Sequence, residues 1–364
     1  MKTNYKNLII DGEFFEEKKL KEKIHQTISN NATPEWKKEN FEFIKEWLDN
    51  SPTIKAHTSG TTGTPKEIFL QKEKMIASAK HTGGFFELKK NDKALSCLSP
   101  KYIAGKMMIV RAFVLGLDLR MVEPNGNPLA TVKESIDFAA MIPLQVFNSI
   151  QNEKELKIFR KIKKTIIGGG VVSQALHDFL KRERNQCFAT YGMTETITHI
   201  AVKKLNGADA SDNYQALKNV QIKKDNRGCL VIEAPDVAEE TVVTNDLVEI
   251  VASNQFRWLG RYDNVINSGG VKIISEKVER ILNQFLTRRF FVNGLLDKKL
   301  GERLILIIEG EAFSEGEKKE LMDSMKTTLP KYSIPKEILF IEKFEETDSG
   351  KVKRKTTMAM LNLT

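Results

Sequence analysis

Apolar positions recur at helical spacing through residues 12–50, where Leu20, Ile24, Ile28, Phe41, Ile44 and Leu48 stand among glutamates and lysines. That stretch is expected to form amphipathic helices that serve as scaffold. Downstream the pattern changes. Lys72–Gly83 reads as a further helix, Ala94–Leu98 as a short apolar strand, and Met107–Leu117 as an apolar helix interrupted by Arg111. Lys163–Gly170 reads as a strand that runs out into three glycines, with a helix expected over Ser173–Arg184. Strand, glycine turn and helix repeated along residues 54–200 imply parallel α/β architecture with ligand loops at the strand ends. The C-terminal part alternates differently: helix Ser275–Leu286, strands near Phe290–Leu296 and Leu304–Glu309, helix Glu315–Thr328, then the apolar run Ile338–Ile341. The expected fold class is α/β, with a large N-terminal domain over residues 1–262 and a smaller α+β domain over 263–364.

A chain of 364 residues exceeds the size at which one core stops growing, which agrees with two domains. With 41% hydrophobic and 29% charged residues, 22 glycines and 10 prolines, disordered and fibrous classes are excluded. The net charge of +9 raises the question of nucleic acid. Its lysines are spread along the chain, however, the basic clusters Lys161–Lys164 and Lys351–Lys355 are short, and no aromatics alternate with them, so a solvated basic surface is expected and no nucleic-acid partner. Cys97, Cys187 and Cys229 stand far apart and fit buried thiols in a reducing compartment. No stretch has the length of a membrane span and the N-terminus lacks the apolar core of a secretory signal, so a cytoplasmic location is expected, with a homo-oligomer left open.

The candidate chemistry begins at Thr58-Ser59-Gly60-Thr61-Thr62-Gly63-Thr64-Pro65-Lys66, a loop rich in hydroxyls and exposed backbone N–H groups that suits a polyphosphate. The Walker spacing is absent, because the glycines are three apart and Pro65 separates the second from the lysine. An ordinary Ser/Thr/Gly turn is the competing reading. Four later stretches bear on the choice. Ala189-Thr190-Tyr191-Gly192-Met193-Thr194-Glu195-Thr196 places one carboxylate among hydroxyls, suited to holding magnesium against phosphate. Thr244-Asn245-Asp246 puts a carboxylate in a loop between apolar runs, where it could grip ribose hydroxyls. Gly260–Ile273 joins Arg261 to a flexible turn, as at a domain junction, and Thr347-Asp348-Ser349-Gly350-Lys351 offers a lysine on a glycine-hinged loop. Singly, each has a bland explanation as a helix cap, a turn, a surface salt bridge or a tail lysine.

Together and in this order, over roughly residues 54 to 357, they resemble the adenylate-forming superfamily of acyl-CoA synthetases, peptide-synthetase adenylation domains and luciferases. The resemblance implies ATP, Mg2+ and coenzyme A as reactants or cofactors. It makes Thr58–Lys66 the phosphate loop, Gly168, Gly169 and Gly170 the adenine-side wall, and Tyr191, Gly192, Met193, Thr194 and Glu195 the adenine-stacking and magnesium segment. Asp246 and Arg261 match the ribose-binding pair, Asp263 the hinge, Lys351 the adenylation lysine of a mobile C-terminal domain, and Ser268-Gly269-Gly270 the lining of a pantetheine tunnel. Glycine is usual in the family where this chain has Asn245. Compared with typical members, the region before the phosphate loop is short.

The segment Ser96–Lys106, together with Arg111, resembles that of o-succinylbenzoate:CoA ligases of menaquinone biosynthesis, with Tyr102 where a histidine is common. Such a substrate carries a second carboxylate that needs a cation at the far end of an apolar slot, for which Lys106, Arg111 and His199 are candidates alongside Tyr102. Alternatives are another aryl or acyl acid, transfer to a carrier protein, or a non-catalytic basic scaffold.

Overall fold

The computed structural model describes residues 5–57, 67–347 and 352–361. Its centre is a 13-stranded sheet that is parallel on one side and antiparallel on the other. On the parallel side, inward from an antiparallel edge strand Glu13–Phe15, stand Leu8–Ile10, Asp118–Met121, Lys93–Ser96, Phe138–Met141, Lys164–Ile167 and Gln186–Gly192. From Gln186–Gly192 the sheet continues antiparallel through His199–Lys204, Tyr214–Ala216, Gln255–Arg261, Val242–Ala252, Cys229–Glu233 and Gln221–Lys224.

The parallel strands are short apolar runs because both of their faces are covered. Ala94, Phe138, Ala140, Ile166 and Phe188 point into a core shared with helices Glu17–Ser29, Glu35–Leu48, Lys72–Phe85 and Ile103–Leu115. Their neighbours Leu95, Ala139, Met141, Ile167 and Cys187 point the other way, against helices Pro143–Gln151, Glu153–Phe159 and Gln174–Leu180. Alternation along each strand thus builds two cores around one sheet. Helix Ile103–Leu115 buries every residue from Gly105 to Phe113, which explains why its sequence is apolar all round.

Beyond Arg261 a second sheet of five strands begins, made of Val265–Ser268, Val271–Ile274, Phe290–Asp297, Gly301–Glu309 and Glu337–Ile341, the last parallel to its neighbour. Helices Ser275–Leu282 and Glu315–Thr328 contribute to its core. Among the described residues no helix is long and apolar enough to cross a membrane.

Two expectations change. Thr53–His57 and Glu67–Gln71 pair antiparallel in a sheet of their own instead of opening a parallel repeat. The link over residues 58–66 is shorter than the dozen or so residues that a parallel crossover needs. The antiparallel half from His199 to Arg261 lies outside the repeat read from the sequence, and strands Leu8–Ile10 and Glu13–Phe15 precede the N-terminal helices. Helix boundaries also move: the expected Met107–Leu117 runs from Ile103 to Leu115 and Ser173–Arg184 from Gln174 to Leu180.

Candidate functional site

Glycines 168–170 leave the C-terminal end of strand Lys164–Ile167, the edge at which ligands approach an open α/β sheet. They lie beside the next strand: a Cβ at Gly168 would come 2.4 Å from Thr190 Oγ1. One residue on, Tyr191 turns its ring against Phe256, with centroids 5.1 Å apart at 80°, while Tyr214 stacks on Phe256 at 5.4 Å. The Tyr191 hydroxyl donates to Asp246 Oδ2 at 2.7 Å. Burial, with the Asp246 charge adding to it, raises that hydroxyl far above the ordinary tyrosine range, so it stays a proton donor.

Asp246 is the focus of this arrangement. It lies within strand Val242–Ala252 instead of the expected loop, opposite Arg261 in the ladder with Gln255–Arg261, and pairing there holds its backbone. Besides Tyr191, Trp258 Nε1 donates to its Oδ1 at 3.0 Å and an Arg261 nitrogen lies 3.7 Å from the same oxygen. Its backbone N–H donates to Thr244 Oγ1 at 3.0 Å. A carboxylate only 8% exposed is thereby fixed in orientation with lone pairs to spare, the condition for gripping vicinal hydroxyls.

The segment after Tyr191 is shaped by two constraints. Gly192 faces His199 across the ladder so closely that a Cβ would lie 2.1 Å from the Thr198 carbonyl oxygen. Further along, Ile197 has φ +64 and ψ −64, with Thr198 N donating to the Thr196 carbonyl at 2.7 Å, a γ-turn that a β-branched residue adopts only under strain. Between them Glu195 is exposed on a cleft of about 350 Å³, lined also by Ile68, Leu70, Lys74, Ile197 and Val242. Strand Glu67–Gln71, which leads out of residues 58–66, therefore borders the same cleft as Glu195. Gly192→Ala is expected to lower unfolding stability by about 1–3 kcal/mol, because two backbones must part. Chemical denaturation with an unchanged m-value checks this, and a neutral effect would mean that the contact is not so close.

Arg111 lies inside its buried helix at 2% exposure. Its Nε donates to Thr82 Oγ1 and its terminal nitrogen to Thr198 Oγ1, each at 3.3 Å, and Ser78 Oγ lies 3.2 Å from Thr198 Oγ1. Among the described residues no carboxylate pairs with it. Burial lowers its pKa to about 10, which leaves the cation intact at neutral pH. His199 Nε2 lies 3.4 Å from the same Thr82 hydroxyl. Burial, then the Arg111 charge, bring His199 from 6.5 down to about 3.

This shift fixes a sign. Below pH 6.5 the unfolded chain protonates the histidine and the folded chain does not, so the His199 contribution is present above that pH and is lost as pH falls toward 3. His199→Gln is therefore expected to flatten the decline of the unfolding midpoint between these pH values, as read by thermal scans. Parallel curves for variant and parent would refute it.

Not all the expected acid-binding residues converge. Lys106 and Arg111 are five positions apart on one helix, about 140° around its axis. The Lys106 ammonium sits 4.6 Å from the Phe43 ring centroid and 3.3 Å from a Glu46 oxygen, facing helix Glu35–Leu48. Tyr102 stands just before helix Ile103–Leu115 and is 43% exposed. Thr194 is buried and Met193 half-buried. Gly269 and Gly270 form the turn of a hairpin, both with positive φ, and Gly269 N donates to the Leu300 carbonyl at 2.8 Å. Asp263 accepts from Arg261 at 2.8 Å. Thr58, Ser59, Gly60, Thr61, Thr62, Gly63, Thr64, Lys66 and Lys351 lie outside the described residues.

Trp258, Thr82, Thr198 and Ser78 join these clusters without having been singled out by the sequence. Their partners stand on other elements, and only the period-two spacing of Trp258 within Gln255–Arg261 hinted that it shares a face with Phe256.

The family model described as AMP-binding enzyme matches residues 5–231. The chain is similar to the 2-succinylbenzoate–CoA ligase of Listeria monocytogenes, 24% identical over 360 residues that span 92% of this chain and 76% of that protein. Among solved structures it is similar to an acyl-CoA synthetase (AMP-forming)/AMP-acid ligase II-like protein from Dyadobacter fermentans, at 36% identity and a TM-score of 0.62 over 92% of this chain and 97% of that one. It also shares its fold with the o-succinylbenzoate coenzyme A synthetase of Bacillus subtilis in complex with ATP and magnesium ion, at a TM-score of 0.70 and 18% identity over 93% and 82% of the two chains.

Proposed function

Since the chain belongs to the AMP-binding enzyme family, we propose that it activates a carboxylic acid with ATP and passes the acyl group to coenzyme A, with o-succinylbenzoate as the acid. In the first half-reaction the acid's carboxylate attacks the α-phosphorus of ATP and pyrophosphate leaves. In the second the coenzyme A thiol attacks the acyl carbonyl and AMP leaves. Bringing two anions together is mainly a matter of positioning and charge neutralisation. That task falls to Lys351, to Lys66 and the hydroxyl loop Thr58–Thr64, and to Thr194 and Glu195.

The observation that carries the reading is the Asp246 carboxylate, held by Tyr191, Trp258 and Arg261 beside the glycines and aromatics expected to line an adenine. Asp246 and Arg261 take the ribose, while Gly168–Gly170 and Tyr191–Met193 take the base. Glu195, exposed on its cleft, suits a magnesium ion that keeps waters and substrate phosphates as its other ligands. When bound, the ion would screen phosphate charge. Asp263 is the hinge between residues 1–262 and 263–364, and Ser268–Gly270 line the path of the thiol.

The choice of acid rests on Arg111, a buried cation that among the described residues donates only to hydroxyls, and on similarity to relatives bearing that substrate in their names. His199, neutral beside it, meets the same Thr82 hydroxyl as Arg111. The test is acid-dependent pyrophosphate release across a panel of carboxylic acids, with mass spectrometry of the products when coenzyme A is added. Release with o-succinylbenzoate and appearance of its thioester is the expected result. Release with a different acid would leave the ligase reading and remove the substrate. No release with any acid would remove both.

A further inference from the structure

Asp263, bonded to Arg261, is also reached by a chain of contacts through Asn245 and Arg227. Asn245, next to the ribose carboxylate, donates its amide to both Asp263 oxygens at 3.3 Å. Its own Oδ1 accepts from Arg227 at 2.8 Å, so the amide orientation is fixed from both ends. Arg227 is itself fully committed. Its Nε donates to Asp225 at 2.8 Å, another nitrogen donates to the Thr244 carbonyl at 3.0 Å, and its guanidinium lies over the Tyr262 ring at 5.2 Å. Asp225 is tied in turn by the backbone N–H groups of Arg227 and Cys229.

The Arg227 loop belongs to the 13-stranded sheet, whereas Tyr262–Asn264 is the short helical turn joining that sheet to the next. We propose that Asn245 and Arg227 are positioning residues forming a latch, which holds Asp263 and therefore the joint between the two sheets in the orientation seen here. This rests on the reading of Asp263 as the hinge. Glycine at 245 would remove both arms of the latch at once, and Asn245→Asp would keep the Arg227 bond but set a carboxylate against Asp263.

The experiment needs no turnover. Dyes placed through non-natural side chains at exposed Lys154 and Lys319 report the distance between the two sheets' units by single-molecule energy transfer in the nucleotide-free protein. Asn245→Gly and Arg227→Met should each raise the population at other distances about three- to tenfold, the scale of one or two net hydrogen bonds. The double variant should add little to either, because both changes break one chain. Asn245→Asp should shift it further than glycine does.

In the active enzyme, Arg227→Met should change the ratio of the two half-reaction rates by a similar factor while KM for ATP stays within about twofold. An unchanged distance distribution in both single variants, or independent effects that add in the double variant, overturns the latch. So would equal loss of both half-reactions in Arg227→Met, the result of a merely structural role. If no acid triggers pyrophosphate release, the ligase reading fails and the distance measurement still decides the latch.

Discussion

Asp246→Ala is expected to lower kcat/KM for ATP by roughly 10²–10³-fold and to lower the unfolding midpoint, whereas Asp246→Asn should do the first without the second. The carboxylate accepts from Tyr191 at 2.7 Å and Trp258 at 3.0 Å. Alanine leaves both donors without an acceptor, at about 1–3 kcal/mol each, or a midpoint shift on the order of 5–10 °C for a unit of this size. Asparagine can take both bonds: its oxygen accepts from the Trp258 indole and its amide donates to the Tyr191 oxygen, which is free to turn because it stays protonated. What asparagine cannot do is offer a charged acceptor to two hydroxyls, and each such charge-assisted bond is worth about 1.5–3 kcal/mol. Steady-state kinetics at varied ATP and thermal unfolding without nucleotide separate the effects. If Asp246→Asn kept its ATP dependence, Asp246 would be a structural acceptor and the ribose would have to be gripped elsewhere.

The surroundings of Asp246 show what one sequence can and cannot disclose. The alternation of glycine turns with apolar runs located strand Lys164–Ile167, helix Lys72–Phe85 and the α/β class, because short-range spacing sets those elements. Tyr191, Asp246 and Arg261 came instead from short motifs whose order carries the family resemblance. Neither signal could reveal that Tyr191 and Asp246 touch, since 55 positions separate them and only the antiparallel half of the sheet brings them together. That half was illegible for a physical reason: its strands, such as Gln221–Lys224 and Val242–Ala252, are partly exposed and lack the continuous apolar signature of buried parallel strands. Lys106 failed in another way. It stands in the same apolar run as Arg111, but helical periodicity turns the two toward different neighbours, Glu46 and Phe43 for one, Thr82 and Thr198 for the other.

Arg111 carries the sharpest expectation about the acid. A guanidinium at 2% exposure, bonded to Thr82 and Thr198 hydroxyls with no carboxylate partner among the described residues, burdens the folded state, because its desolvation is not offset by an ion pair. The side chain has the charge and geometry to meet a carboxylate brought by a substrate. Arg111→Met is therefore expected to reduce kcat/KM for o-succinylbenzoate roughly 10²-fold or more, the cost of losing a buried charge-assisted pair, while a monoacid analogue lacking the second carboxylate should change by less than about threefold. Stability should move the opposite way, staying level or rising, since methionine fills much of the same volume without a buried charge. A general packing role for Arg111 predicts the reverse: both acids lose alike and the unfolding midpoint falls. Measuring the two acids and the midpoint on one variant separates a specificity residue from a core residue, because the two roles differ in the sign of the stability change as well as in the ratio of the activities.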